Sequence, residues 1–517
     1  MKKDLSNKPD IERASLRMES IWMDAENRII HDIVRRIKTY GKITSTADYQ
    51  INRLIEMGKS REEVEKIIKE AMNLSWPEMF KLYDDISEWE YVRNKDIYEQ
   101  VNREFIPPED NEWLKQSSEA VKTQTMDELK NISQSYGFAV NINGKTVFTP
   151  FAEYYQKYVD SAIMDIITGG FDYNTVLRRV VSQMTNSGLR IVDYASGWSN
   201  RAPVAVRRAF MTGVGQITGN IVDRQAEELG VDHFEVDWHA GARPEHRAWQ
   251  GKVYTKRELV TVCGLGTGPG LKGWNCYHDY YLFWPGISER MYTDEFLREQ
   301  NAKEAVKKQW KDKELDTYEQ TQQMRKMETS MRSQRSKIAA LKVGDYDQDQ
   351  LTLEKAKYQA QLYEYTVFCN KMGMKQQRER IYMDGLGRLA PQSIKQANKV
   401  LEKKRVDDII KSELREIGIK GKINIKPEKI DLSMVSFDDQ HINKQRKHNV
   451  SIDEAKTFIE NASFSETVWN GRFERYYSSN GVAYVNKNNL QIRTAFKGDE
   501  IKGVTQKAIE VMKKHGR

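Results

Sequence analysis

Trp238-His239-Ala240-Gly241-Ala242-Arg243-Pro244-Glu245-His246-Arg247-Ala248-Trp249-Gln250-Gly251-Lys252-Val253-Tyr254, continued after a glycine-rich loop by Gly273-Trp274-Asn275-Cys276-Tyr277-His278, is the stretch on which the architecture turns. It gathers His239, His246 and His278, with His233 just upstream, and two of the three cysteines. Soft-metal ligands among rigid turn-formers imply a small module of turns and short strands, distinct from what flanks it. Zinc sites take thiolate and imidazole from short loops in a tetrahedral set of four. His239, His246, Cys276 and His278 supply such a set, with Cys263 to spare. The same residues also fit a metal-free loop. There His239 and His246 bond backbone groups, Cys276 packs as a small apolar residue, and Arg243, Glu245 and Gln250 form a polar network. No nucleophile and base pair stands out in the block.

Upstream, the pattern is helical. Ile11, Ala14, Met18, Ile21, Trp22, Ala25, Ile29, Ile33, Ile37 and Tyr40 recur at helical spacing, with Gly41 as a stop. Ser60-Arg61-Glu62-Glu63 predicts a capping box that opens a second helix. Helices are also predicted from Trp113 to Tyr136 and from Phe151 to Thr168, on either side of a stretch, Phe138 to Phe148, that alternates like a hairpin. The apolar-periodic run from Ala202 to Leu229 delivers the chain into strand-like His233 to Trp238.

Downstream, Thr293 to Leu341 and Gln350 to Met372 are rich in Glu, Lys, Gln and Arg. Met324, Met327, Met331, Ile338 and Leu341 keep a near-heptad stripe, which predicts a long antiparallel helical hairpin or stalk. Its polarity all round predicts an extended element leaning on a partner helix, not a buried core helix. A further helix, Pro391 to Ile417, leads into Gly418-Ile419-Lys420-Gly421-Lys422, which reads as a linker. The fold class is therefore multidomain and mainly α: a helical region over 1–230, a small α+β module over 231–292, a helical stalk over 293–417 and an α+β domain over 418–517.

A chain of 517 residues exceeds what one core usually organises, and 39% hydrophobic with 30% charged residues suits a charge-coated helical protein. No apolar run is long enough to span a bilayer, and Met1-Lys2-Lys3-Asp4 does not open a signal peptide. Three cysteines are too few for a disulfide scaffold, which implies a reducing cytoplasm. The net charge of +7 is uneven: 18 Lys+Arg face 12 Asp+Glu from Gly418 to Arg517, where a polyanion would be most comfortable.

The block His239 to Gly251, the glycine-rich loop, Asn275-Cys276-Tyr277-His278 and Pro285-Gly286-Ile287 resemble the core of the phage minor capsid proteins of the Mu F-like head morphogenesis group. The resemblance covers roughly residues 1 to 300. It implies a few-copy virion protein, assembled in the host cytoplasm, that sits near the portal, contacts portal, other capsid proteins and phage DNA, and takes part in head assembly.

Residues 430 to 517 carry an early His, a basic run, tyrosines on predicted strands and a late strand ending in Thr. They resemble the phage-borne members of the barnase, EndoU, colicin and RelE-like group of small RNases. This implies a toxin domain that cleaves host RNA through the ribose 2′-OH without a metal or other cofactor. Such cleavage needs a base, an acid and charge stabilisers. His441 fits the base or acid, Lys444, Arg475 and Arg493 the charge stabilisers, and Thr494 and Tyr477 the hydroxyl donors. On an unbroken helix His448 would lie about 10 Å from His441, so only one histidine need act. The rival is a purely structural, DNA-contacting virion protein without catalysis.

Overall fold

The computed structural model describes residues 8–40, 46–192, 198–273, 276–390, 393–427, 429–469 and 471–516. The chain is mainly α and divides into two compact units, Met1–Ile394 and Lys395–Arg517.

In the first unit the helix Ile11–Tyr40 forms where the apolar period places it. It buries Met18, Trp22, Ile29, Ile33 and Ile37 against the helices Thr46–Val92 and Ala202–Leu229. Gly41 lies outside the described residues. The second helix does not open at Ser60. Ser60 is inside Thr46–Val92, buried, and its hydroxyl donates to Asp32 at 2.9 Å. A Ser with Glu three residues on caps a helix only where the chain enters it, and here the helix is already running. The helix Glu112–Ser133 follows, and Phe151 to Ile167 is helical with a wide π turn at Tyr155–Asp160. Between them β1 (Tyr136–Ile142) and β2 (Lys145–Pro150) form the expected hairpin. Its turn residues Asn143 and Gly144 both take positive φ, 51° and 80°, as tight hairpin turns require. β3 (Arg190–Val192) and β4 (Ser199–Arg201) extend this sheet in the order β2-β1-β3-β4.

The middle module is a three-stranded antiparallel sheet with β5 (His233–Val236) between β6 (Val253–Thr255) and β7 (Tyr280–Leu282). Its core, Phe234, Val236, Trp249, Leu259, Cys263, Leu271 and Tyr280, is shared with Val222, Ala226 and Leu229 of the helix Ala202–Leu229 and with Tyr98.

The polar segment from Thr293 to Leu341 is not one helix. Asp294–Ala305 ends in a hairpin, β8 (Lys308–Trp310) and β9 (Lys313–Leu315), turned by Lys311 at φ 52°. Asp316 and Glu319 then cap each other's backbone to start Thr317–Val343. That helix pairs with Gln348–Met372, as the stripe predicts, but it does not stand free. It packs on Ile11–Tyr40 and Tyr173–Ser187 and sends Met324, Met331, Ile338 and Leu341 into the unit's core. A helix polar all round is buried here because its inward charges are satisfied. Glu328 accepts from Arg325 at 2.9 Å and from the Tyr365 hydroxyl at 3.1 Å, and Arg335 forks onto Asp384 at 2.7 and 2.8 Å.

The second unit begins earlier than the glycine-lysine stretch at 418–422. Ile410 and Leu414 of the helix Ile394–Glu416 pack with Ile419 and Ile423, so the expected linker is interior: Ile419 is buried and Lys422–Asn424 is the edge strand β10. Pro391 lies outside the described residues. β11 (Ser436–Phe437), β12 (Phe464–Val468), β13 (Phe473–Tyr477), β14 (Gly481–Asn486) and β15 (Gln491–Lys497) complete a sheet of order β10-β12-β13-β14-β15-β11, antiparallel except at β11–β15. Residues from Ile394–Glu416 and Val504–Lys514 share a core with Phe464, Tyr477 and Val482 on one face. Those from Ile452–Glu460, capped by Ser451 and Glu454, share another with Tyr476, Ala483 and Ala495 on the opposite face.

One buried group in the first unit yields a pH test. Glu90 is fully buried, and burial pushes its carboxyl up to about 7, with Asp279 adding to the effect and Arg93, 3.1 Å away, only partly offsetting it. A carboxyl raised in the folded state costs nothing below its unfolded value, near 4.5, and costs most above the folded one. Glu90→Gln is therefore expected to stabilise the protein above pH 7, by on the order of 2–3 kcal/mol, with the gain fading towards pH 5. Melting curves of the two proteins that stay parallel across that range would contradict it.

Candidate functional site

The module's strands bring its chelating residues together. β5 runs out into Asp237, Trp238 and His239, and Gly241, at φ 70°, turns the chain back. Arg243-Pro244 opens the short helix Pro244–Arg247, which aims His246 inward. Gly251 follows where any Cβ would strike the Leu297 side chain at 2.4 Å. From the other side, the loop after Cys263 delivers Cys276 and His278 into β7. Trp274 and Asn275 lie outside the described residues.

Three donor atoms converge. Nδ1 of His246 lies 3.4 Å from Nδ1 of His278, and Sγ of Cys276 lies 3.8 and 3.6 Å from these two nitrogens. Zinc–nitrogen bonds of 2.0–2.1 Å and a zinc–sulfur bond of 2.3 Å in a tetrahedron set the N···N edge at about 3.3 Å and the N···S edges at about 3.6 Å. The three separations are those of a tetrahedral face.

Hydrogen bonds on the far side of each ring assign the protons. Gln250 Oε1 accepts the His239 backbone N–H at 3.0 Å, which fixes that atom as the oxygen. It lies 2.8 Å from His278 Nε2, so Nε2 carries the proton. His246 Nε2 has two neighbours, the Pro269 carbonyl at 2.8 Å, which can only accept, and the Arg243 guanidinium at 2.9 Å, which can only donate and also reaches that carbonyl at 3.3 Å. The Nδ1 lone pair of His278 therefore faces His246 and the sulfur. When His246 donates Nε2–H to Pro269, its Nδ1 lone pair faces inward as well and no proton bridges the nitrogens, the arrangement that suits a cation. Burial also keeps the rings neutral. It pushes His278 down to about 3, with the nearby His239, His246 and Arg243 adding to the shift, and it lowers His246. Burial raises the Cys276 thiol, against which backbone N–H groups and the charges of Arg243 and Lys272 act.

His239, the fourth residue expected, stands outside this trio. Its ring meets that of His278 edge-on at 4.9 Å between centroids, and its Nε2 is held by the Tyr277 carbonyl at 2.8 Å and Asp237 at 3.2 Å. Burial opposes its charged form, but Asp237 outweighs that and its pKa is raised. Cys263 is a core residue beneath Trp249 and Leu259, its thiol pushed up to about 12 by burial. The anchors Pro269 and Gln250 were not identified as such from sequence. Nor was the tie from Lys272 to Thr218 (2.6 Å) and Asp279, which fastens the loop to the helix Ala202–Leu229. These are contacts between distant residues that no local pattern signals.

In the second unit the candidate catalytic residues fall into separate groups. His441 is on the turn Gln440–Gln445 with its Nδ1 3.0 Å from Gln445 Oε1. Its backbone N–H donates to Asp438, which also pairs with Arg493. Lys444 is exposed on the same turn. Arg475 pairs with Glu466 at 3.3 Å, and the buried Tyr477 donates its hydroxyl to the same carboxylate at 2.9 Å. Burial, then Glu466, raises the Tyr477 pKa. Thr494 is opposite Tyr484 in the β14–β15 ladder. His448 pairs with Glu500 at 2.7 Å. No hydrogen bond or ion pair among the described residues joins the Asp438 group to the Glu466 group.

Residues 8–367 match the family described as phage minor capsid protein 2. The chain belongs to that family. The match covers most of the chain, includes the His246–Cys276–His278 trio and ends within the first unit. No curated protein and no solved structure matches the chain. This minor capsid protein is thus a structural protein of a phage particle, with the virion as its location and other capsid proteins as its partners. Among the described residues no helix is long and apolar enough to cross a membrane.

Proposed function

We propose that this minor capsid protein is a head component whose module over 231–292 is held together by one zinc ion, ligated by His246, Cys276 and His278 and completed by Nδ1 of His239. The observation that carries the reading is the set of three donor separations, with the His278 lone pair turned inward. His239 fits the fourth place because its Nε2 is anchored on oxygen in the same manner as the other two rings, which leaves Nδ1 for a metal. Four protein ligands make a closed, structural site whose binding energy is folding energy. Protein purified without chelator is expected to carry about one zinc per chain by elemental analysis; absence of stoichiometric metal would remove the reading. Placement near the portal, with contact to phage DNA, belongs to the same proposal. The support for the DNA contact is the charge balance, since 25 Lys+Arg face 17 Asp+Glu in the second unit, a difference of +8 against +7 for the whole chain.

A second reading, the metal-independent ribonuclease toxin acting on host RNA, has one observation in its favour. Glu500 lies 2.7 Å from His448 Nδ1, as a carboxylate orients an imidazole that moves protons, whereas the ring of His441 has the amide of Gln445 at 3.0 Å and the nearby Asp438 carboxylate bonds its backbone N–H. If the unit cleaves RNA, His448→Ala should lower the rate by roughly a hundredfold or more. His441→Ala should change it less, and products should end in a 2′,3′-cyclic phosphate. Full-length wild-type protein that leaves tRNA and rRNA intact, without added divalent ions, would end this reading.

A further inference from the structure

On the sheet face that carries the Phe464, Tyr477 and Val482 core, and running out from it through the half-buried Tyr484 and Phe496, the second unit sets a row of residues of which the ribonuclease reading uses only Arg475 and Thr494. Glu466, Arg475, Tyr484 and Thr494 are directly opposite one another on β12, β13, β14 and β15, so their side chains share one face. Phe473 and Phe496, two residues from Arg475 and Thr494, point to that face as well. Trp469, in the turn between β12 and β13, meets Phe473 edge-on at 4.9 Å and Tyr484 at 6.4 Å. Tyr484 reaches Phe496 at 6.2 Å, and Phe496 reaches His448 at 5.7 Å. An aromatic track thus crosses the sheet from the Trp469 turn to β15 and His448.

Cations interleave with the rings. The Arg475 guanidinium lies between Trp469 and Tyr484, 5.2 and 4.8 Å from their centroids, and Arg472 lies 5.8 Å from Phe473. At the β15 end, the exposed Lys444, Arg446 and Lys447 immediately precede His448. Trp469 itself is anomalous. It is 56% exposed, and its backbone takes φ 49°, a left-handed conformation that costs a bulky residue about 1–2 kcal/mol. An exposed, strained tryptophan set on an arginine is the geometry of a ligand platform, not of a packing residue.

We infer that this track binds the unpaired bases of a single-stranded nucleic acid, RNA or DNA, with Trp469 as the outermost stacking surface. Bases stack on aromatic faces whatever their identity, whereas a duplex keeps its bases stacked on one another and offers only phosphate. Glu466 neutralises Arg475, so the rings and not that charge supply the contact at this end, and Arg472 and the basic loop are left to meet the backbone. The inference extends the nucleic-acid side of the ribonuclease reading but does not require cleavage.

The test uses full-length protein and short labelled oligonucleotides of one sequence: single-stranded DNA, single-stranded 2′-O-methyl RNA, which lacks the hydroxyl needed for cleavage, and the DNA duplex. Anisotropy titrations are expected to show one or both single strands bound more tightly than the duplex, and which strand binds identifies the source. Trp469→Ala should weaken single-strand binding roughly five- to a hundredfold and leave the salt dependence unchanged, since no phosphate contact is removed. Trp469→Phe should keep most of the affinity. Because Trp469 is exposed, both variants should melt as the wild type does. Equal affinity of Trp469→Ala and wild type, or of duplex and single strands, would overturn the proposal. Oligonucleotide binding that persists while RNA stays uncleaved would sink only the ribonuclease reading.

Discussion

His246→Ala protein is expected to retain no stoichiometric zinc, and wild-type protein stripped with a chelator is expected to melt at the lower temperature of that variant. Removing His246 takes one of the three converging donors and leaves Cys276, His278 and the proposed Nδ1 of His239 at the bottom of a site whose remaining walls are Trp249, Gln250 and the Pro269 carbonyl. A structural site one ligand short of its closed set of four holds the ion far less tightly. Gln250→Ala is expected to act differently: all ligands remain, but the His278 ring loses the acceptor that fixes its tautomer, and affinity should fall about 10–100-fold. His239→Ala should fall between the two if Nδ1 of His239 is the fourth ligand. The metal-free loop makes another forecast. His246→Ala would still destabilise the module, because His246 is buried against Trp249 and bonded to Pro269, but a chelator would leave the wild-type melt unmoved. The chelator experiment on unaltered protein therefore separates the two, and the variants then assign the ligands.

What the sequence disclosed divides by the range of the interactions involved. Ile11–Tyr40 and Ala202–Leu229 were legible because an apolar period acts within a few residues. The His246, Cys276 and His278 set was legible as a composition, since soft ligands rarely gather without reason. What could not be read was which oxygen anchors each ring, because Gln250 and Pro269 meet the rings only after the loop closes. The segment from Thr293 to Leu341 misled for a similar cause. Its polarity describes a solvated helix until Asp384, Tyr365 and Arg380 arrive from elsewhere in the chain to pair its charges. In the second unit the tyrosine-bearing strands were legible, but β12 was not and the stretch read as a linker holds Ile419 and the start of β10; strand pairing decides which side chains are neighbours. It placed Arg475 and Tyr477 on the Glu466 carboxylate and grouped Arg493 with Asp438.

The same reasoning makes Arg335 and Asp384 the most sensitive pair in the first unit. Arg335 has no exposed side-chain surface and Asp384 has 1%. Their two-pronged contact is closed by the Gly387 carbonyl, 2.8 Å from Arg335, and by the rings of Tyr358 and Tyr382 around the guanidinium. Asp384→Ala strands a full positive charge where water cannot reach it, and the expected loss is about 3–5 kcal/mol in equilibrium unfolding of the first unit. Arg335→Ala should cost a comparable amount, since the carboxylate is then the orphan and a large side chain is gone. The two losses should not add. With both residues replaced by apolar side chains of similar volume, as in Arg335→Met with Asp384→Leu, no buried charge remains, and stability should return to near the wild-type value or exceed it. The pair would then serve to fix the register of the helix Thr317–Val343 against the 384–387 turn, a role for which apolar contacts, tolerant of sliding, are less suited. Single variants that each cost less than about 1 kcal/mol, the value of an exposed pair, would show that water reaches the guanidinium. A double variant as unstable as the sum of the singles would show that the pair contributes through packing and not through its charge.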